Sequence, residues 1–179
     1  MPASRLTIDE INALDRASFV AALGPVFEGP PWIVERAWEE RPFADLMRLH
    51  ERLRAVMDAA PVELQVELIR AHPDLVGRAA LAGALTPEST GEQASAGLDR
   101  LSPAEVAAFT QLNAAYHERF GFPFVICVRE NKKEGILAGF NARLGHTREG
   151  EITTALSEVA KIAWLRLLDR VQWDNGGRD

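Results

Sequence analysis

A chain of 179 residues, 47% hydrophobic and 26% charged with net charge -6, holds one domain with a proper core and leaves little room for a second. Its single cysteine, Cys127, excludes an intrachain disulfide and a thiol-rich metal site, and the lack of a basic cluster or stripe excludes a phosphate-backbone (nucleic acid) binder. The longest apolar run, FPFVICV at 122–128, is too short to span a bilayer, and the opening MPASRLTIDE lacks the apolar stretch of a secretory signal, so a cytoplasmic protein that contacts no membrane is expected.

From the N-terminus, TIDE at 7–10 has the form of a capping box, followed by apolar positions at Ile11, Leu14, Phe19, Val20 and Leu23 before Gly24. PPWIVERAWEE opens on proline and continues with helix formers up to Arg41-Pro42; Trp32 and Trp38 within it are read as core anchors. Residues 43–59 repeat apolar groups at Leu46, Leu49, Leu53, Val56 and Met57. Pro61 opens a further helix that breaks at Pro73. Residues 74–101 are rich in Gly, Ala, Ser, Thr and Pro, and read as short helical turns joined by loops. Ser102-Pro103, with Glu105 three residues after the cap, starts a helix that runs to about Phe120. GFPFVICV is extended by its glycine, proline and β-branched content. Helices over 131–144 and 149–171 complete the set, the latter burying Ile152, Leu156, Val159, Ile162, Ala163, Leu167 and Leu168. The expected architecture is all-α: a single domain, residues 1–179, folded as an irregular bundle of about seven or eight helices with one short extended segment near 122–128.

A lone extended segment in a helical protein must find partners for its backbone elsewhere, or offer its own groups to a ligand. Three stretches carry candidate chemistry. In AHPDLVG, 71–77, His72 precedes a proline, which biases it out of the helical region and projects its imidazole from a helix end; either it works in a pocket or it caps the preceding helix. In STGEQASAGLD, 89–99, Ser89 and Glu92 fit a capping box, while Glu92 or Gln93 could face a ligand. In FVICVRENKK, 124–133, Arg129 leaves an apolar run, placed either to grip an anionic ligand in a two-pronged fashion or to pair with Glu130 or Glu134. The backbone of Ile126 to Val128 could read a planar, amide-rich ligand. Cys127 reads as a small core residue, because an apolar setting raises a thiol's pKa. His50 and His117 complete no zinc pattern, since Arg54 and Gly121 occupy the positions where a second ligand would follow, and His146 follows Gly145 near a helix end, where a cation suits the helix dipole.

Taken together, FEGPPWIVERAWEERPF (27–43), AHPDLVG (71–77), STGEQASAGLD (89–99), LNAAYHERFGFPFVICVRENKKEGIL (112–137) and EVAKIAWLRL (158–167) resemble the 2-oxo-4-hydroxy-4-carboxy-5-ureidoimidazoline (OHCU) decarboxylase family, in order and over nearly the whole chain. The resemblance implies an all-α homodimer that needs no cofactor and decarboxylates its ureide substrate to S-allantoin, the last step of urate degradation. By position, it implies a catalytic His72 with Glu92 as acidic partner. It assigns substrate binding to Gln93, Arg129 and the segment bearing Phe124, Ile126 and Val128, with Pro73 and Ser89 as further contacts. Eukaryotic members often carry a peroxisomal tail; WDNGGRD at this C-terminus is not one, which favours the cytoplasm.

Overall fold

The computed structural model describes residues 5–173; the remaining terminal residues, read above for targeting signals, lie outside the described residues. Among the described residues the elements are helices and 3-10 turns, with no strand beyond an isolated parallel bridge between Leu6 and Val171. The all-α expectation therefore holds. No described helix is long and apolar enough to cross a membrane.

The chain divides into two compact units, one made of the residues up to Ala60 and those from Ala160 onward, the other of Pro61–Val159. In the first unit, Thr7 and Glu10 cap α1 (Ile8–Ala13) reciprocally, as the TIDE motif requires. The apolar run continues after it, but Asp15 starts a new helix, α2 (Arg16–Leu23), by accepting the Ser18 N–H at 2.8 Å. PPWIVERAWEE becomes α3 (Trp32–Ala37) and a 3-10 turn, Trp38–Glu40. Trp32 and Trp38 are half-buried, each with an arginine over its ring, Arg36 at 5.1 Å and Arg41 at 4.1 Å. α4 (Leu46–Asp58) buries Leu49, Leu53 and Met57. His50 on that helix contacts the Ala160 carbonyl at 2.8 Å and packs beside Trp164, a structural role.

The second unit holds α5 (Val62–Arg70), the four-residue α6 (Arg78–Leu81), α7 (Pro87–Ser95), α8 (Pro103–Phe120) and α9 (Lys133–Arg143). The last helix, α10 (Arg148–Arg170), contributes residues to both units. An aromatic core forms around Tyr116, whose ring lies 4.6–6.2 Å from those of Phe120, Phe122, Phe124 and Phe140. At the end of α8, Gly121 takes φ +77, the left-handed conformation that terminates a helix most cheaply in glycine. The chain then turns into residues 122–127, which are non-helical as expected; Val128 already belongs to a 3-10 turn, Val128–Glu130.

Candidate active site

The site is built where α5 ends. The last turn of α5 leaves carbonyls unsatisfied, and His72 answers one of them: its Nδ1 donates to the Leu68 carbonyl at 2.9 Å. A carbonyl only accepts, so in this bond Nδ1 carries the ring proton. Both sequence readings of this residue are compatible with the geometry. The side chain caps the helix through Nδ1, which leaves Nε2 as the other ring nitrogen. The imidazole is buried, at 9% exposure.

The loop after His72 is held from two sides. α8 supplies His117, whose Nε2 meets the Asp74 carboxylate at 2.7 Å, and Asn113, whose amide donates to the Leu75 carbonyl at 2.9 Å. Four residues apart, they lie on one face of α8. α7 supplies Gln93, whose Oε1 accepts the Val76 N–H at 3.2 Å. Val76 is buried with φ +53, a conformation that a β-branched residue adopts only under constraint. Gly77 is required for space, because a Cβ there would stand 2.5 Å from that of Asp74. A groove of about 830 Å³ lies along the α8 side of this loop, lined by Asp74, Val76, Leu81, Asn113 and His117 among others; His72, Glu92, Gln93 and Arg129 do not line it.

α7 corrects one expectation. Its cap is Thr86, which accepts the Ser89 N–H at 3.2 Å, with Pro87 at the first helical position. Ser89 lies inside the helix and is buried, so the Ser89–Glu92 capping box does not form. The signal was present: Thr86-Pro87 repeats the Ser102-Pro103 pattern. Burial follows helical spacing, with Ser89 and Gln93 on one face and Glu92 half-buried beside it.

The same helix packs against the turn Val128–Glu130 that bears Arg129. Arg129 is exposed. Burial pushes the Cys127 thiol up to about 11, and the carboxylates of Glu130, Glu158 and Glu92 add to the effect. Glu92 is thus close enough to act electrostatically on the segment before Arg129. Cys127 is the small core residue the sequence suggested, 1% exposed.

The segment's backbone partners were not foreseen. The Val125 carbonyl accepts from Arg143 at 2.7 Å, the Cys127 N–H donates to Glu158 at 2.8 Å, and the Cys127 carbonyl accepts from Asn131 at 2.9 Å. The Phe124 side chain is buried against Phe140, ring centroids 3.7 Å apart. Pro73 and Ile126 are half-buried and Val128 is buried. The structure therefore brings three sequence segments together through α7: the loop after His72, the helix bearing Glu92 and Gln93, and the turn bearing Arg129. Among the described residues, no group of three or more His, Cys, Asp or Glu is placed to hold a metal ion.

Comparison with known proteins places this chain in a family. Residues 12–168 match the OHCU decarboxylase family. The chain is 43% identical over 164 residues to the 2-oxo-4-hydroxy-4-carboxy-5-ureidoimidazoline decarboxylase of Halalkalicoccus jeotgali, covering 92% of this chain and 91% of that one. It is 45% identical over 163 residues to the protein of that name from Amia calva, covering 91% and 93%. A crystal structure of (S)-allantoin synthase superposes with TM-score 0.75 at 28% identity, covering 93% of this chain and 54% of that chain, so the present chain spans about half of its length.

Proposed function

We infer, on the premise that the chain belongs to the OHCU decarboxylase family, that it is a carboxy-lyase converting 2-oxo-4-hydroxy-4-carboxy-5-ureidoimidazoline to (S)-allantoin and CO2. The observation that carries the reading is the meeting at α7 described above, with Gln93 bonded to the His72 loop and the helix packed on the turn of Arg129.

The chemistry suits such a site. Decarboxylation leaves an electron pair behind, and enzymes commonly recruit a cofactor to hold it. This substrate holds it unaided, because the carbon bearing the carboxyl group adjoins a ring C=N bond. As CO2 departs, the pair forms a carbon–carbon double bond to that neighbour, and the C=N pair moves onto nitrogen, which takes up a proton. The resulting enol then loses its hydroxyl proton while the neighbouring carbon gains one. The protein's part is to orient the ring, place charge and move these protons.

In this reading His72 is the acid/base. Its Nδ1 is committed to Leu68, so Nε2 takes the hydroxyl proton or delivers one to the neighbouring carbon. Glu92 shares the proton duty. Gln93 spends its amide oxygen on Val76 and offers its nitrogen to a carbonyl of the substrate. Arg129 binds the ureido and ring carbonyl groups. Pro73, Ser89 and the segment of Phe124, Ile126 and Val128 supply further substrate contacts. Delivery of the proton from one side yields a single enantiomer, where the uncatalysed reaction gives both.

The same reading makes residues 1–179 one catalytic domain, supported by a family match that runs through both compact units. It also makes the protein a cytoplasmic homodimer, on the strength of the family resemblance. The test is to supply freshly generated substrate and follow circular dichroism. Accumulation of one allantoin enantiomer faster than the racemic background is expected; a rate equal to that background overturns the assignment. Sedimentation of the purified protein tests the dimer.

A further inference from the structure

We propose that Arg143 and Glu158 are positioning residues for the substrate-lining segment: they grip Val125 and Cys127 so that the peptide groups of Ile126, between them, are turned to the ligand. The proposal rests on the assignment of that segment to the substrate site.

Residues 122–127 are non-helical and, among the described residues, pair with no strand. Their buried polar groups still require partners. A neighbouring strand would satisfy one whole edge; side chains satisfy chosen groups only. Here the chosen groups belong to alternate residues, the Val125 carbonyl taken by Arg143 and the Cys127 N–H taken by Glu158. Along an extended backbone successive residues face opposite ways, so gripping 125 and 127 leaves residue 126 facing away from the clamp.

The cost of the clamp argues that its geometry is what is kept. Arg143 is 7% exposed and its partner Glu151 is fully buried. Glu151 accepts from Arg143 Nε at 2.7 Å and also from the Tyr116 hydroxyl and His146. A buried ion pair of this kind gives little or no net stability over an apolar packing of the same shape. What it gives is direction: the guanidinium is locked between Glu151 and the Phe124 ring, 4.3 Å away, with one nitrogen aimed at the Val125 carbonyl. Helices α9 and α10 thereby fix a backbone to which they contribute no residue of their own.

The test compares steady-state kinetics and thermal unfolding of the wild-type protein with Glu158→Leu, Glu158→Gln and Arg143→Lys. Glu158→Leu removes the acceptor and is expected to raise KM roughly tenfold, the size of a lost hydrogen bond to a charged group, with kcat changed less. Glu158→Gln keeps an acceptor oxygen and restores KM to within about twofold to threefold of wild type, on the same scale. Arg143→Lys keeps the charge beside Glu151 but cannot fork to both partners, and KM rises in the same sense. It decides the matter if Glu158→Leu does not fold. Variants that fold with KM unmoved, or that lose kcat alone, overturn the clamp while leaving the decarboxylase assignment intact. An inactive wild-type protein overturns the assignment on which the clamp rests.

Discussion

Gln93 and Val76 are joined by a hydrogen bond of 3.2 Å between a helix side chain and a buried backbone N–H 17 residues away. That bond secures a valine in the left-handed conformation four positions after the histidine assigned to catalysis. Replacing Gln93 by Leu keeps the shape but leaves the Val76 N–H buried without its acceptor, a loss of about 1–3 kcal/mol. The melting temperature is expected to fall by several degrees, with turnover reduced beyond what the lost stability explains. Gln93→Glu retains an acceptor oxygen and is expected to melt closer to wild type. Equal melting temperatures for Gln93→Leu and wild type would show that the loop is held by other means.

His72→Ala tests the centre of the proposed chemistry. Loss of a positioned acid/base group lowers kcat by roughly 10²–10⁴-fold, and the fold should persist, because the Leu68 carbonyl that loses the His72 bond lies at a helix end. Far-ultraviolet circular dichroism checks the fold, and product formation checks the rate. A near-normal kcat removes His72 from the mechanism.

Gly77→Ala should be poorly tolerated although the change is a single methyl group. The new Cβ would sit 2.5 Å from Asp74 Cβ and 3.2 Å from the Asp74 carbonyl oxygen, so the loop must shift. Strain of this sort costs about 1–3 kcal/mol. Because the loop follows directly on His72, activity is expected to fall with stability. A variant that matches wild type in both would mean that the turn relaxes freely.

The acid side of the stability profile has an identifiable contributor on the surface. Lys133 bonds Glu105 at 2.5 Å and, with the Ser102 N–H as second cause, holds the Glu105 carboxyl down to about 2 from an ordinary 4.5. A depressed carboxyl stabilises the fold above the ordinary value, and that contribution is lost as pH falls from about 4.5 toward 2. Lys133→Met should shrink the loss of stability across that window, measured by denaturant unfolding at several pH values. An unchanged profile would remove this pair from the account.

Cys127 behaves in the opposite sense. Burial raises its thiol from 9.0 to about 11, so folding favours the protonated form. That contribution is complete below pH 9 and declines as pH rises toward 11. A thiol reagent at pH 8 should leave the folded protein unmodified and react promptly on unfolding. Rapid labelling of the folded protein would contradict the burial described here.

How much of this could be read from the sequence depends on how far each residue's partner lies along the chain. The two capping boxes were legible because they close within three residues: Thr7 with Glu10 and Ser102 with Glu105, each pair exchanging bonds of 2.8 and 3.2 Å. The non-helical character of 122–127 followed from its own residue types, and the family from motifs in chain order. The neighbourhood of the site was not legible in this way. Whether Ser89 capped a helix or lay buried inside one turned on Thr86 three residues earlier and on which face of α7 met the rest of the protein. The partners of the extended segment, Arg143 and Glu158, stand 18 and 31 residues from the groups they hold. Local backbone bonding set the helices, since a helix end is satisfied by its near neighbours. The choice of side chains that answer a non-helical stretch without a neighbouring strand belonged to the packing of distant helices, because only that packing brings their polar ends within reach.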